Sequence, residues 1–276
     1  MIQSYKKNPA LANKYDTIII GSGMGSLTTA AILAKEGQKV LVLERHFKRK
    51  GFEWDVGIHY IGEVQRPTSV IRKLFDYISD AQLKWADMGD VYDKIIIGDK
   101  EYDFVKGTQN FKDQLTAYFP NEKEAIDSYV ALVFKAIKTS QKFYINKALP
   151  SIINFFIGKK MRAPFYEFSD KTTYEVLKSI TENEELIKVL TGQYGDYGLA
   201  PKKSSFVMHA AVARHYFEGG SFPVGGSSQI AKTIDTVIEK AGGTILISAD
   251  VEEIIISNHT ATGVKMKDGK IFSAKN

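Results

Sequence analysis

The sequence contains no cysteine among its 276 residues. Disulfide bonds, thiolate metal sites, a cysteine nucleophile and any cofactor attached through cysteine are therefore excluded. The five histidines include no pair at the i, i+4 spacing of a zinc-binding helix, so we expect no metal site. No apolar run reaches the length that would cross a membrane.

The N-terminus lacks the apolar segment of a secretory signal, so we expect a cytoplasmic protein. Residues 1–14 are polar and rich in lysine, which predicts a loose leader. The net charge of +5 is modest for this length and the lysines are scattered, so we expect no nucleic-acid partner.

The first sixty residues carry the pattern of a nucleotide-binding βαβ unit. Residues 15–20 (YDTIII) predict a buried parallel strand, and residues 21–25 form a glycine loop. An alanine-rich helix over 27–36 ends at Gly37, and residues 39–44 (KVLVLE) predict a second strand. A strand, glycine loop, helix and strand in this order predict the start of a Rossmann-type sheet.

The glycine loop has the sequence GSGMGS over residues 21–26, with a serine in place of the third glycine of a G-x-G-x-x-G fingerprint. Gly21 permits the tight turn, and Gly23 lets a pyrophosphate approach the backbone at a helix N-terminus. Glu44 ends the second strand, where an acid accepts hydrogen bonds from ribose hydroxyls. We interpret the loop as a dinucleotide site, with an ordinary structural turn as the alternative.

The pattern changes to mostly helical between residues 67 and 215. Helices are predicted at 69–79, 121–148, 171–180, 183–191 and 203–215, and a hairpin at 94–105 turning at Asp99-Lys100. The β/α pattern then returns, with a helix at 227–241 and a hairpin around Asp268-Gly269. We predict an α/β fold in which a Rossmann-type FAD/NAD(P)-binding domain (15–66 and 216–276) is interrupted by a mostly helical α+β substrate domain (67–215).

Two further glycine-rich segments are GFEWDVGIHYIG at 51–62 and GGSFPVGG at 219–226. Both suit a close approach of the backbone to a ligand, and both also suit an ordinary turn. From the residues alone, the two interpretations of 51–62 stay open, whereas an ordinary turn is favoured at 219–226.

Together these segments resemble the FAD-dependent carotenoid and retinoid oxidoreductases, the family of phytoene desaturases, carotenoid isomerases and retinol-saturase-like enzymes. The similarity is carried by IIIGSGMGSLTTAAILAKEGQKVLVLERH, by WDVGIHYIG and by GGSFPVGGSSQIAKTIDTVIEKAGGTILISADVEEI. The family chain continues beyond a position like Asn276, and its usual glycine pair soon after the acid-ended strand is missing after Glu44. The sequence therefore looks like a shortened member.

The resemblance implies FAD as cofactor and a hydrophobic polyene as substrate, with hydride exchange at a carbon–carbon double bond. It implies that His59 or Tyr60 donates a proton. It places cofactor contacts at Gly21, Ser22, Gly23, Gly25, Ser26, Glu44, Arg45, Asp55, Gly57 and Val251. It places substrate contacts at Gly220, Phe222, Pro223 and Gly225.

Alternatives to this assignment are another flavoprotein of the desaturase or isomerase type, an NAD-dependent dehydrogenase, and a partial chain that holds no flavin. The segments at 51–62 and 219–226 argue against the dehydrogenase. Because no second nucleotide fingerprint is present, electrons are expected from a transiently docked NAD(P)H or from another redox partner.

Residues 149–166 (LPSIINFFIGKKMRAPFY) combine an apolar run with Lys159, Lys160 and Arg162. This pattern suits either a peripheral contact with a membrane surface or a core helix with a solvated basic end. The aromatic residues of the helical middle suit either an apolar tunnel or ordinary core packing.

Overall fold

A computed structural model of the protein describes residues 2–7, 14–45 and 60–275. Its strands are β1 Gln3–Ser4, β2 Lys14–Tyr15, β3 Thr17–Ile20, β4 Val40–Glu44, β5 Ile61–Gly62, β6 Trp85–Asp87, β7 Val91–Ile97, β8 Lys100–Val105, β9 Gly220–Pro223, β10 Thr244–Ile247, β11 Val251–Ser257, β12 Thr260–Met266 and β13 Ile271–Ala274. Its α-helices are α1 Met24–Lys35, α2 Val70–Ile78, α3 Thr108–Tyr118, α4 Lys123–Ala148, α5 Ser151–Ser169, α6 Thr173–Lys178, α7 Glu184–Leu190, α8 Phe206–Tyr216 and α9 Ser228–Lys240. Short 3₁₀ helices lie at Tyr5–Lys7, Pro120–Glu122 and Gly192–Tyr197.

The chain folds into two compact units. The first holds the described residues within Met1–Val56, Arg66–Ala86 and Phe222–Asn276. The second holds those within Gly57–Gln65 and Asp87–Ser221. The segment at 66–86, which includes α2, lies in the first unit.

The first unit contains a parallel sheet in the order β1-β10-β4-β3. The apolar run of β4 is buried from Val40 to Leu43, as expected for a parallel strand covered on both faces. α1 packs against α9 and buries Ala30 and Ala31. Since the strands are parallel, β3, β4 and β10 all end at one edge, where Gly21 and Glu44 lie.

A second sheet of this unit has the order β11-β12-β13-β2 and contains the predicted hairpin around Asp268-Gly269. Val264 pairs with Phe272, and both are buried. The prediction of a loose leader is wrong for residues 2–7. Gln3 pairs with Leu246 in the parallel sheet. The hydroxyl of Tyr5 donates to both carboxylate oxygens of Asp268, at 2.8 and 2.7 Å. Residues 2–7 are therefore held in place by residues near the other end of the sequence, which a local pattern does not reveal.

The second unit is mostly helical and contains one large apolar core. Its most buried residues include Ile126, Tyr129, Leu186 and Phe206. The hairpin β7–β8 packs its inward-facing tyrosine and phenylalanine rings against this core. Its turn lies at Gly98-Asp99, one residue before the predicted position.

α4 and α5 form an antiparallel helical hairpin that turns at Leu149-Pro150. The rings of Phe143 and Phe165 stack at 4.2 Å between centroids, and Arg162 donates to Asn146 at 2.7 Å. No helix within the described ranges is both long enough and apolar enough to cross a membrane.

Candidate functional site

The glycine loop joins β3 to α1 at the carboxyl edge of the parallel sheet. Gly21 has φ of +94°, a backbone conformation that side-chain-bearing residues rarely adopt. Its N–H donates to the carbonyl of Leu43 at 2.8 Å, which ties the loop to the neighbouring strand β4. Gly23 is the N-cap of α1, and no side chain caps the N–H groups of the first turn. These groups therefore point out of the helix toward the loop.

The space beside the loop is open. A Cβ atom built on Gly21, Gly23 or Gly25 would meet nothing within 4 Å. Gly23 and Gly25 are exposed, and Ser26 is half-buried in the first turn of α1. An uncapped helix start beside a bare backbone fits the pyrophosphate of a dinucleotide.

Glu44 lies at the end of β4 and accepts two hydrogen bonds from the loop. The backbone N–H of Ser22 donates to its Oε2 at 2.8 Å, and the Ser22 hydroxyl donates to the same atom at 2.7 Å. Ser22 thus holds the Glu44 carboxylate in position. The N–H of Ser22 is used by this carboxylate and does not point at a phosphate. Arg45, the next residue, is exposed.

Val251 is brought to the same edge by the strand that follows α9. β10 pairs in parallel with β4, and Ile247 lies beside Glu44. The N–H of Ala249 donates to the carbonyl of Glu44 at 2.9 Å, two residues before Val251 begins β11. Val251 is half-buried against the core that contains Leu43. The structure therefore places Val251 near Glu44, although the two are 207 positions apart in the sequence.

The glycine-rich segment at 219–226 also makes a turn, at two glycines with positive φ. Gly225 and Gly226 have φ of +88° and +96°, and the N–H of Gly226 donates to the carbonyl of Pro223 at 3.0 Å. Pro223 is buried, Phe222 is half-buried and Gly225 is exposed. These residues belong to the first unit, whereas Gly220 belongs to the second.

In the second unit, Tyr60 and Gly220 lie together. A Cβ atom on Gly220 would lie 2.7 Å from Cδ2 of Tyr60, so this close approach requires glycine. The Tyr60 hydroxyl donates to Oδ2 of Asp93 at 2.8 Å and receives a hydrogen bond from Gln193 at 3.2 Å. Burial, with the neighbouring Asp93 carboxylate, raises the pKa of Tyr60 well above its ordinary value. Tyr216 packs on the Tyr60 ring, with centroids 4.6 Å apart.

His215 holds the backbone next to Tyr60. Its Nε2 accepts a hydrogen bond from the N–H of Gly62 at 2.8 Å, which requires a neutral ring. Burial lowers the pKa of His215, and the nearby Arg214 acts in the same direction, while Glu63 opposes them. Gly62 admits no side chain, since a Cβ would lie 1.9 Å from the carbonyl oxygen of His215.

Sequence reasoning missed Asp93, Gln193 and His215, which hold the phenol and the strand beside it. They lie 33, 133 and 155 positions from Tyr60 in the sequence, so no local pattern points to them.

The predicted site residues Asp55, Gly57 and His59 lie outside the described residues. Of the aromatics of the helical middle, Phe168 is buried in the core, whereas Phe155 and Phe156 are 84% and 79% exposed and face solvent.

Comparison with known proteins gives a family model and several curated relatives. A model described as an NAD(P)-binding Rossmann-like domain matches residues 19–78. All-trans-retinol 13,14-reductase of Danio rerio is 36% identical over 92% of this chain and 45% of that protein. The protein of the same name from Homo sapiens is 36% identical, over 97% of this chain and 46% of that protein. Prolycopene isomerase 1 of an Oncidium hybrid cultivar is 26% identical, over 96% and 48%.

Solved structures share the fold. An oxidoreductase from Methanosarcina mazei aligns with a TM-score of 0.61 and 20% identity, over 95% of this chain and 57% of that one. Putrescine oxidase aligns with a TM-score of 0.56 and 14% identity, over 95% and 56%. The predicted Rossmann-type α/β fold and the resemblance to carotenoid and retinoid oxidoreductases are thereby confirmed.

The chain spans less than half the length of the curated relatives that it matches. It matches them over nearly all of its own length, and the open glycine loop falls inside the residues matched by the Rossmann-like family model. Over nearly all of its own length, the chain is therefore a homologue of the all-trans-retinol 13,14-reductases and, more distantly, of the prolycopene isomerases.

Proposed function

We propose that the chain binds FAD at its glycine loop. The observation that carries the proposal is the open space beside Gly21, Gly23 and Gly25, at a helix start that no side chain caps. The pyrophosphate would lie against these glycines and the first turn of α1, including Ser26. Glu44, positioned by Ser22, would accept hydrogen bonds from the adenosine ribose, since a carboxylate there favours free hydroxyls and repels a 2′-phosphate.

The remaining cofactor contacts are proposed at Val251, for the adenine, and at Arg45, Asp55 and Gly57. Support for Val251 comes from its place beside Glu44 at the sheet edge. When bound, FAD supplies hydride exchange with a carbon of the substrate.

The proposed reaction acts on a carbon–carbon double bond of a retinoid or carotenoid, in the direction of retinol saturation. The names of the relatives support this substrate class. Gly220, Phe222, Pro223 and Gly225 are proposed to contact the polyene. The electrons would come from a transiently bound NAD(P)H or from another redox partner. A desaturase-type or isomerase-type reaction on the same polyenes is the second candidate, favoured by the match to prolycopene isomerase.

Saturation needs a proton donor, and we assign this role to Tyr60, with His59 as the alternative. The raised pKa of Tyr60 keeps its phenol protonated at neutral pH. Asp93 and Gln193 fix the position of the hydroxyl oxygen through hydrogen bonds of 2.8 and 3.2 Å. To donate to the substrate, the Tyr60 hydroxyl would turn its proton away from Asp93, and the hydrogen bond from Gln193 would stabilise the oxygen that has lost it.

Flavin binding is tested by titrating the purified chain with FAD and with NAD and following flavin fluorescence and ligand-induced absorbance. The informative variant is Gly23→Ala, because Gly23 has φ of −62° and open space, so the backbone accepts alanine while the new methyl fills the proposed phosphate position. We expect FAD binding to weaken by about tenfold or more, which corresponds to about 1.4 kcal/mol.

The matched control is Gly195→Ala, at a glycine of the second unit that also has open space and no left-handed φ. It should bind FAD as the unmodified chain does. Binding of NAD but not FAD would instead identify a dehydrogenase, and binding of neither would identify a flavin-free chain.

The reaction is tested under anaerobic conditions by reducing the bound flavin and adding all-trans-retinol or a carotenoid. Reoxidation of the flavin with loss of polyene absorbance is the expected result. Tyr60→Phe should keep FAD binding and flavin reduction but slow saturation by a factor of about 100 or more, because it removes the proton donor. If Tyr60→Phe reacts at the unmodified rate, Tyr60 is not the donor. A reduced flavin that passes electrons to no polyene would contradict the substrate assignment.

A further inference from the structure

The turn end of the α4–α5 hairpin exposes a dense group of large apolar side chains. This group, here called the hairpin tip, consists of Tyr144, Ile145, Ile152, Phe155 and Phe156, which are between 58% and 84% exposed. Two other isoleucines on α5, Ile153 and Ile157, are 44% and 43% exposed. A contiguous apolar surface of this kind marks an interaction site, whereas single exposed apolar residues do not.

Contacts between α4 and α5 fix the hairpin that carries this exposed surface. Asn146 is fully buried between the helices, where its Oδ1 accepts from Arg162 at 2.7 Å and its carbonyl accepts from Asn154 at 3.0 Å. The stacked rings of Phe143 and Phe165 join the helices one turn further back. Phe155 and Phe156 are therefore exposed on a fixed helix, and their exposure does not come from a frayed chain end.

The charge around the tip has a single sign. Residues 128–166 contain seven lysines and arginines and no aspartate or glutamate. Since the whole chain has a net charge of +5, the rest of it carries a net charge of −2. Within the described ranges, Lys142, Lys159 and Lys160 form no ion pair. These three lysines lie beside the apolar tip and are complementary to a surface of negative charge that covers an apolar layer.

The order of the residues along the helices matches such a layered surface. Lys159 and Lys160 follow Phe156 by three and four residues, which places them about 5–6 Å further from the turn along α5. Lys142 is set back from Ile145 in the same way on α4. Lys147, which is nearer the turn, is folded over the Phe143 ring at 5.4 Å. An interfacial helix buries its apolar side chains about 5–10 Å deep and keeps its lysines at the headgroups.

We propose that the hairpin tip inserts into the interface of an anionic lipid bilayer, with Lys142, Lys159 and Lys160 at the phosphate headgroups. The proposal extends the proposed function, because a polyene substrate resides in lipid, but the binding itself needs neither flavin nor substrate. A soluble protein partner or a second copy of the chain is the competing occupant.

The test is co-sedimentation of the full chain with vesicles of phosphatidylcholine alone and with about 30% phosphatidylserine added. The chain should sediment with the anionic vesicles. Phe155→Ser combined with Phe156→Ser should lower the partition coefficient on both vesicle types by about tenfold or more, because two large apolar side chains no longer enter the lipid. Lys159→Gln combined with Lys160→Gln should lower it about fivefold per lysine on anionic vesicles only.

Matched controls change the same residue types elsewhere on the chain. Ile254→Ser with Ile256→Ser removes two exposed apolar side chains from β11, and Lys202→Gln with Lys203→Gln removes an adjacent exposed pair of lysines. Both controls should sediment as the unmodified chain does. Phe155→Trp supplies a second readout, since its emission should shift to shorter wavelength on adding anionic vesicles.

Absence of sedimentation with either vesicle, or equal losses in the control variants, would overturn the proposal. If the chain forms a dimer that Phe155→Ser with Phe156→Ser converts to a monomer, and does not bind vesicles, the tip is a protein interface. Failure of FAD binding leaves the sedimentation result unaffected, so the two proposals fail separately.

Discussion

His209 is fully buried in the core of the second unit between two tyrosine hydroxyls. The Tyr129 hydroxyl lies 2.9 Å from its Nε2, and the Tyr197 hydroxyl lies 3.2 Å from its Nδ1. A neutral imidazole satisfies both contacts, because one nitrogen donates and the other accepts. Burial lowers the pKa of His209 to about 4, from an ordinary value of 6.5. The folded state therefore holds this ring neutral at pH values where the unfolded chain binds a proton.

This difference predicts a loss of stability in mild acid. Since the folded pKa of His209 is below the unfolded one, its contribution is fully present above pH 6.5 and is lost as the pH falls toward 4. Between pH 7 and pH 5, we expect His209 to reduce the free energy of unfolding by about 2 kcal/mol. Urea unfolding at the two pH values measures this change.

The variant His209→Gln should lose most of this pH dependence, whatever its stability at pH 7. The remaining slope would come from groups such as His215, whose pKa is also lowered by burial. His259→Asn is the control, because His259 is exposed in a turn at φ of +61°, which asparagine tolerates. An unchanged slope in His209→Gln would show that this ring is accessible to protons in the folded protein.

The residues of the glycine loop could be predicted because their roles follow from the local backbone. Gly21 needs a positive φ, Gly23 needs bare space, and Glu44 ends a strand, and each requirement is visible within thirty residues of sequence. The two bonds from Ser22 to Glu44 could not be predicted, since they depend on how β3 and β4 align. The same holds for Asp93 and Gln193 beside Tyr60, which only tertiary packing brings together.

At the scale of elements, local periodicity predicted most of the helices and two of the hairpins, but not α3. It could not predict a strand whose partner lies far away in the sequence. β1 is only two residues long and pairs with β10 about 240 positions later, so its polar sequence gave no sign of a strand. The hairpin β11–β12 was also missed as a hairpin. Its turn residues Asn258 and His259 both have positive φ, a conformation usually signalled by glycine.

For α5, the sequence pattern was visible but fitted two different structures. An apolar run with a basic end suits both a core helix and an interfacial one. Only the hairpin with α4 decides how much of the run is covered, and it leaves Phe155 and Phe156 exposed while burying Phe168. Burial of a helix face depends on its neighbours, which its own sequence does not specify.

At the scale of the whole molecule, unfolding of the two units can be followed by different spectroscopic signals. The chain contains two tryptophans, of which Trp85 belongs to the first unit and Trp54 lies outside the described residues. The Trp85 ring packs edge-on against Phe75 in that unit, with centroids 5.0 Å apart. In a Trp54→Phe background, emission comes from Trp85 alone and therefore follows unfolding of the unit that carries the glycine loop. Far-ultraviolet circular dichroism is dominated by α3 to α8, which lie in the second unit.

This separation allows the proposed cofactor site to be located by its effect on stability. A ligand that binds only the folded state at about 100 times its Kd stabilises that state by about 2.7 kcal/mol. For folding units of this size, FAD should raise the midpoint of the thermal transition seen by tryptophan emission by about 5–10 °C. Gly23→Ala should need at least tenfold more FAD for the same shift, whereas Gly195→Ala should respond as the unmodified chain does. A shift in the circular dichroism transition with none in tryptophan emission would place flavin binding in the second unit and contradict the glycine-loop assignment.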